Sequence, residues 1–134
     1  MGKSSIVGSM ILGIGIDIIE VSRIKASLEK FGERFGQKIL LPGEIAYCLS
    51  HTQPAPFVAA RFAAKEAISK AFGTGIGSQL GWQDMEIARK ESGEPYVILH
   101  GKGKELFESR RAKNLFVTIS HTEAYAAVTA ILEN

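Results

Sequence analysis

Residues 59–73 most constrain how this chain can fold, because they read Ala-Ala-Arg-Phe-Ala-Ala-Lys-Glu-Ala-Ile-Ser-Lys-Ala-Phe-Gly. Alanine, lysine and glutamate favour helix, and the stretch contains no proline. Gly73 stands where a left-handed cap would end the helix. Large apolar side chains cover one side of the predicted helix, and alanines cover most of the other. Such a helix, apolar nearly all round, is expected to be buried.

Polar side chains interrupt this apolar surface at regular spacing. Arg61, Lys65 and Ser69 follow one another at intervals of four on the large apolar side, and Glu66 and Lys70 form a second pair at that interval. A buried charge without a partner is costly, so we expect each of these groups to have one. Two interpretations stay open: internal ion pairing, as between Glu66 and Lys70, or an anionic ligand held by the cations with Glu66 binding a metal.

A second buried carboxylate is predicted near the start of the chain. Residues 10–20 read Met-Ile-Leu-Gly-Ile-Gly-Ile-Asp-Ile-Ile-Glu, a β-branched run typical of a core strand. Asp17 either ends this strand and caps a turn, or lies buried and needs a cation, hydrogen bonds or a metal. The isoleucines that follow it favour the second interpretation. Alternation along the strand puts Ile14, Ile16 and Ile18 on one face and Gly15, Asp17 and Ile19 on the other.

The remaining pattern predicts one small α+β domain with an antiparallel sheet around the long buried central helix. Ser22 is the predicted N-cap of a helix that runs to Gly32. The two-residue link Thr122-Glu123 predicts an antiparallel hairpin with His121 at its tip. His51, beside a proline-rich turn, is expected at the surface. Further helices are predicted at 33–41, 42–49 and 102–112, and further strands at 83–90, 95–100, 115–121 and 124–132.

Composition excludes several classes of protein. The single cysteine, Cys48, cannot form an intramolecular disulfide, which favours a reduced cytoplasmic setting. No apolar run reaches the roughly 18 residues that span a bilayer, so we expect no membrane segment. A net charge of +2 is far below that of a dedicated nucleic-acid-binding protein. Residues 1–9 are mostly small and polar and lead to Met10, so we interpret them as a tag or N-terminal extension before a domain at 10–134.

Three motifs then resemble one enzyme family. Residues 13–24 read Gly-Ile-Gly-Ile-Asp-Ile-Ile-Glu-Val-Ser-Arg-Ile, residues 61–75 read Arg-Phe-Ala-Ala-Lys-Glu-Ala-Ile-Ser-Lys-Ala-Phe-Gly-Thr-Gly, and Ser120-His121-Thr122 precedes Tyr125-Ala126. In order, spacing and total length they are similar to the signatures of the 4′-phosphopantetheinyl transferases of the holo-acyl-carrier-protein synthase type.

The resemblance implies the phosphopantetheinyl transferase fold and a transfer reaction of fatty acid biosynthesis. The 4′-phosphopantetheine group of coenzyme A would pass to a serine of apo acyl carrier protein, with release of adenosine 3′,5′-bisphosphate. Family members use Mg²⁺, for which Mn²⁺ can substitute, and are commonly homotrimers with active sites between subunits.

The resemblance also implies roles for individual residues. Asp17 and Glu66 would bind Mg²⁺, and the base that takes the serine proton would be Glu66 or a metal-bound water. Lys70 and Lys65 would neutralise phosphate charge, and Ser69 and Gly73 would line the pocket. Arg61 would hold the nucleotide end together with His121 and Thr122, which come from the same or a neighbouring subunit. The acidic carrier protein would bind the cations of the first helix: Arg23, Lys25 and Lys30.

Two alternatives of other classes remain. A Mg²⁺-dependent hydrolase would cleave coenzyme A with no carrier present. A non-catalytic basic module would bind acidic partners without regard to Mg²⁺ or Asp17, and salt would weaken that binding strongly. Buried carboxylates argue against the second alternative, because a binding surface does not need them.

Overall fold

The computed structural model describes residue 8 and residues 10–134, which confirm the predicted α+β class. The predicted extension at residues 1–9 lies outside the described residues apart from Gly8, so it stays a prediction. No helix among the described residues is long and apolar enough to cross a bilayer. The elements are β1 (Ile11–Glu20), α1 (Val21–Phe31), α2 (Glu33–Ile39), α3 (Pro42–Leu49), α4 (Ala55–Phe72), a 3₁₀ turn (Trp82–Asp84), β2 (Met85–Arg89), β3 (Pro95–Leu99), α5 (Gly101–Ser109), β4 (Asn114–His121) and β5 (Tyr125–Glu133).

Three antiparallel strands in the order β1-β5-β4 form the main sheet. Asp17 of β1 is paired with Val128 of β5. The predicted β4–β5 hairpin is confirmed, and its turn is held by the Thr122 hydroxyl, which accepts the N–H groups of Ala124 and Tyr125 at 3.2 and 3.1 Å. Strands β2 and β3 form a separate antiparallel pair.

Helix α4 is buried against the inner face of this sheet, as predicted. It begins at Ala55, after the proline-rich turn, and ends at Gly73, whose φ of 79° is left-handed. The alanines of its sheet-facing and neighbouring sides are almost fully buried: Ala59, Ala60, Ala63, Ala64, Ala67 and Ala71. A surface of methyl groups lets the helix approach the sheet closely.

Two glycines of β1 make that approach possible. A Cβ atom on Gly13 would lie 1.8 Å from the carbonyl oxygen of Ala71, and one on Gly15 would lie 1.9 Å from that of Ala67. No side chain fits at either distance. These glycines therefore set the separation of β1 and α4, and with it the position of Asp17 relative to the helix.

The other face of β1 is exposed. The predicted alternation is right, but the predicted core strand is covered on one side only, because Ile14, Ile16 and Ile18 are 59%, 63% and 65% exposed. Phe116 of β4 is also exposed, by 53%. In the described residues the main sheet thus leaves an apolar outer face uncovered.

Helix α1 begins differently from the prediction. Ser22 lies inside the first turn, and the N-cap position is Glu20, with no side-chain cap. The N–H group of Val21 instead donates to the carbonyl oxygen of Ala124 at 2.8 Å. Because the β4–β5 turn already satisfies this first helical donor, the helix start does not depend on a serine cap.

Candidate active site

A carboxylate–ammonium contact joins β1 to α4. The Lys70 ammonium donates to Asp17 Oδ1 at 3.2 Å and to the carbonyl oxygen of Ile16 at 2.9 Å. The Asp17 side chain is 17% exposed and that of Lys70 is 51% exposed. Solvent can therefore reach this contact from the Lys70 side. Lys70 is thus paired with Asp17 and not, as the internal-pairing interpretation expected, with Glu66.

Glu66, one turn before Lys70, lies close enough to Asp17 for the two charges to interact. Burial raises the pKa of Glu66, the negative charge of Asp17 raises it further, and Lys70 opposes both effects. Two neighbouring carboxylates are the hard oxygen donors that Mg²⁺ prefers, so this pair fits the ion. The described residues hold no group of three or more His, Cys, Asp and Glu side chains placed for a metal, so such an ion would keep several waters.

Lys65 differs from its expected role. Its ammonium is fully buried and donates to Glu44 Oε1 and to the carbonyl oxygen of Ile39, both at 2.7 Å. Burial lowers the pKa of Lys65, and the negative charge of Glu44 opposes that shift. The structure therefore directs Lys65 away from Asp17 and Lys70, into the interior of the domain.

Arg61 lies on the same buried side of α4 and is 2% exposed. Its Nε atom is 4.0 Å from Glu44 Oε2 and has no hydrogen-bond partner among the described residues. Its guanidinium lies over the Tyr47 ring, 4.4 Å from the ring centroid. Glu44 thus faces two cations, Arg61 and Lys65, which leaves this buried cluster with an excess positive charge.

His121 lies near the same end of α4. Its ring packs edge-on against Phe57 with centroids 5.8 Å apart, and His51 stacks on Phe57 at 3.5 Å. His51 is half-buried rather than at the surface as expected, and its Nδ1 atom lies 2.9 Å from the carbonyl oxygen of Tyr47.

Within one chain the predicted site residues therefore fall into two groups. Nine residues of helix, about 13.5 Å at the usual rise, separate Arg61 from Lys70. Asp17, Glu66 and Lys70 lie near the C-terminal end of α4, whereas Arg61 and His121 lie toward its N-terminal end. The structure brings Asp17, Glu66 and Lys70 together, whereas Arg61 and His121 are linked through Phe57, which each of them contacts.

The sequence profile of the 4′-phosphopantetheinyl transferase superfamily matches residues 13–130. The chain belongs to this superfamily. A holo-acyl-carrier-protein synthase of Koribacter versatilis is 45% identical over 125 residues, covering 93% of this chain and 100% of that protein. One of Moorella thermoacetica is 44% identical over 123 residues, covering 92% of this chain and 94% of that protein.

Solved structures of the superfamily share the fold. The holo-acyl-carrier-protein synthase of Neisseria meningitidis has a TM-score of 0.88 at 31% identity, covering 93% of this chain and 100% of that one. That of Helicobacter pylori, crystallised in complex with coenzyme A, has a TM-score of 0.80 at 32% identity, covering 89% and 98%.

Ser69 and Gly73, which are predicted to line the pocket, lie at the end of α4. The hydroxyl and the carbonyl oxygen of Ser69 are already hydrogen-bonded within this helix and the turn that follows it. The Ser69 hydroxyl is buried and donates to the carbonyl oxygen of Glu66 at 2.7 Å. The N–H groups of Thr74 and Gly75 both donate to the carbonyl oxygen of Ser69, at 3.1 and 3.2 Å. Gly73 is exposed beside them. This turn thus closes the end of α4 with its own N–H groups.

The cations of α1 are exposed, but they do not share one face. Arg23 and Lys30, seven residues apart, lie on the outward side of the helix, because seven residues complete nearly two turns. Lys25 lies on another side and lines a cavity of about 620 Å³ between α1, α2, α3 and the start of α4.

Sequence reasoning missed a second group of cations in this superfamily member. Arg34 and Lys38 of α2 border a cavity of about 610 Å³. Phe62, on its wall, lies one helical turn before Glu66, so the cavity lies beside the carboxylate group. The cavity is also lined by four aromatic residues that are half-buried or exposed: Phe31, Phe35, Phe62 and Trp82. It was not visible as a pattern, because Phe62 and Trp82 come from parts of the chain distant from α2.

Proposed function

We propose that this protein transfers the 4′-phosphopantetheine group of coenzyme A to a serine of apo acyl carrier protein and releases adenosine 3′,5′-bisphosphate, a step of fatty acid biosynthesis. The observation that carries the proposal is the group formed by Asp17, Glu66 and Lys70 between β1 and α4. It supplies carboxylates for a cation and an ammonium for phosphate within a chain whose relatives are named holo-acyl-carrier-protein synthases.

The reaction exchanges one bond to phosphorus for another. The serine oxygen bonds to the phosphorus on the pantetheine side of the pyrophosphate, the bond to the bridging oxygen breaks, and the nucleotide leaves with that oxygen. Asp17 and Glu66 would hold Mg²⁺, or Mn²⁺ in its place, which neutralises charge on the pyrophosphate. Lys70 binds a phosphate oxygen, so catalysis is largely positioning and electrostatic.

Glu66 is the candidate acceptor of the serine proton. It lies beside Asp17 and one helical turn before Lys70, so it borders the place assigned to the cation and the phosphate. A carboxylate has two oxygens, so one can face the cation while the other takes the proton.

The nucleotide end of coenzyme A is assigned to Arg61, His121 and Thr122. The excess positive charge around Glu44 supports this assignment, because an anion would compensate it. Since these residues lie far along α4 from Lys70, we assign them to the site of a neighbouring subunit. A homotrimer that covers the apolar outer face of the sheet would bring the two groups together, with each active site between subunits.

The acidic carrier protein is assigned to the exposed cations beside the carboxylate group. Arg23 and Lys30 of α1 point outward, and Arg34 and Lys38 of α2 border the aromatic cavity next to Phe62. Opposite charges steer association and set its orientation. Lys25 belongs to this set by charge alone, because it lies on another side of α1. We place the enzyme in the cytoplasm, a compartment where its single thiol stays reduced.

Intact-mass spectrometry of apo acyl carrier protein tests the proposal. Incubation with the protein, coenzyme A and Mg²⁺ should add one phosphopantetheine, and EDTA, Asp17→Asn or Glu66→Gln should abolish the gain. Glu108→Gln, an exposed carboxylate of α5, is the matched control and should behave like the parent. A folded parent that binds coenzyme A but adds no mass to several carriers would refute the transferase. Release of adenosine 3′,5′-bisphosphate without a carrier would indicate the hydrolase.

A further inference from the structure

Glu44 is the most highly connected carboxylate of the interior, and the proposed reaction leaves it without a role. It is 2% exposed. Its Oε1 atom accepts the N–H of Leu41 at 2.9 Å and the ammonium of Lys65 at 2.7 Å. Its Oε2 atom accepts the N–H of Ile87 at 2.9 Å and lies 4.0 Å from Arg61 Nε. One side chain therefore connects the start of α3, strand β2 and the middle of α4.

These connections matter because the side of α4 that packs on the sheet consists largely of alanines. Methyl groups form a smooth surface, which resists sliding and rotation of a helix less than large interlocking side chains do. Two kinds of contact are specific in direction. On the sheet side, Gly15 meets the carbonyl oxygen of Ala67. Lys65 comes two residues before Ala67, a rotation of about 200° around the helix, so it lies on the opposite side, where it contacts Glu44. Hydrogen bonds are directional, so this second contact fixes the rotation of α4.

We propose that Glu44 is a positioning residue for the transferase reaction. By its hydrogen bond to Lys65 it fixes the rotation of α4, and so the directions of Glu66, the residue next to Lys65, and of Arg61, whose Nε lies 4.0 Å from Glu44. The inference rests on the proposed function, because it assigns Glu44 to the geometry of that same site. Glu44 itself is buried and touches neither substrate.

A carboxylate is required for this role because three donors converge on it. In Glu44→Gln the side chain keeps its size, but an amide NH₂ replaces one oxygen and faces either the N–H of Ile87 or the donors on Oε1. At least one donor then loses its acceptor: the N–H of Ile87 in the first orientation, or the N–H of Leu41 and the Lys65 ammonium in the second. We expect α4 to shift by a fraction of an ångström, which is enough to lower the rate of a reaction that depends on positioning.

The test compares Glu44→Gln with Leu80→Ala, a substitution that destabilises the core at a fully buried residue outside the hydrogen bonds of Glu44. Transfer rates are measured where thermal melts show each protein to be folded, and coenzyme A affinity is measured by titration calorimetry. For Glu44→Gln we expect kcat to fall about tenfold or more and coenzyme A to bind several-fold more weakly, with KM for the carrier unchanged. Leu80→Ala should retain kcat and affinity within about twofold.

A double variant, Glu44→Met with Lys65→Met, separates the effect of Glu44 on kcat from its effect on stability. It replaces Glu44→Gln in the test if that protein does not fold. Removing both charges of a buried pair costs less stability than removing one, so this protein should melt closer to the parent temperature. We expect its kcat to stay about tenfold low. Full kcat and affinity in the double variant, or in folded Glu44→Gln, would overturn the inference. A parent that binds coenzyme A but transfers nothing would instead refute the proposed function.

Discussion

Replacing Gly15 with alanine tests whether the contact between β1 and α4 holds the site together. The added Cβ would lie 1.9 Å from the carbonyl oxygen of Ala67, whereas ordinary contact begins at 3.4 Å. The strand and the helix must therefore separate locally by about 1.5 Å. The backbone fixes the position of the Cβ atom, and the carbonyl oxygen belongs to the backbone of α4, so no rotamer change relieves the clash.

We expect this substitution to cost about 3 kcal/mol, the upper part of the range for overpacked cores. For a domain of this size that loss lowers the melting temperature by roughly 10 °C. The larger effect concerns the site, because Asp17 moves with β1 while Glu66 and Lys70 stay on α4. A displacement of that size lowers the transfer rate by about 100-fold even where the protein is folded.

Thermal melts followed by circular dichroism, and transfer rates well below the melting temperature, measure the two effects. Gly36→Ala is the matched control, because a Cβ there meets no atom within 4 Å. That control should melt slightly higher, since alanine is favoured over glycine in a helix by about 0.8–1 kcal/mol. A Gly15→Ala protein with the parent's melting temperature and rate would refute the reasoning that the glycines set this distance.

Three further predictions concern single side chains. Burial raises the pKa of the Cys48 thiol to about 11, so only about 0.1% of it is thiolate at pH 8 in the folded protein. Iodoacetamide should therefore modify Cys48 at least 100-fold faster in the urea-unfolded protein than in the folded one, and equal rates would contradict this. Lys70→Gln should lower the transfer rate about 100-fold but keep the melting temperature within about 3 °C of the parent, because the Lys70 side chain is half exposed. Lys90→Gln, at another half-exposed ion pair, should change neither the rate nor the melting temperature. Ile16→Lys should convert a trimer to monomers in analytical ultracentrifugation, whereas Ser109→Lys should not; a monomeric parent would refute the trimer.

The carboxylates of the site could be predicted because each contradicts its surroundings. Asp17 interrupts a run of isoleucines and Glu66 lies on a helix that is apolar nearly all round, so local patterns alone mark both as needing a partner. The burial of α4 and the β4–β5 hairpin followed from the same local patterns.

Glu44 shows why the rest could not be predicted. In the sequence it follows Pro42 and Gly43 and is unremarkable as an acidic residue in the first turn of a helix. Its burial depends on Lys65, 21 residues later, and on a strand N–H 43 residues later. The partner of Lys65 therefore depends on tertiary structure and is not visible in the local sequence. The expectation that Lys65 faces phosphate followed from the family motif alone.

The exposed isoleucines show the same limit. Alternation along β1 puts Ile14, Ile16 and Ile18 on the face opposite Asp17. It does not indicate which of the two faces is covered by a helix. Only the glycine contacts identify the face that packs on α4. Likewise Arg23, Lys25 and Lys30 were grouped by charge, although helical rotation places Lys25 apart from the other two.

The separation of the two residue groups along α4 has a genetic consequence. If each site combines the Asp17 group of one subunit with the His121 group of its neighbour, two inactive chains can restore each other. Co-expressed Asp17→Asn and His121→Ala chains would assemble into mixed trimers, in which about a quarter of the sites receive two intact halves. A cell carrying both alleles would then make holo carrier protein, although neither allele supports it alone.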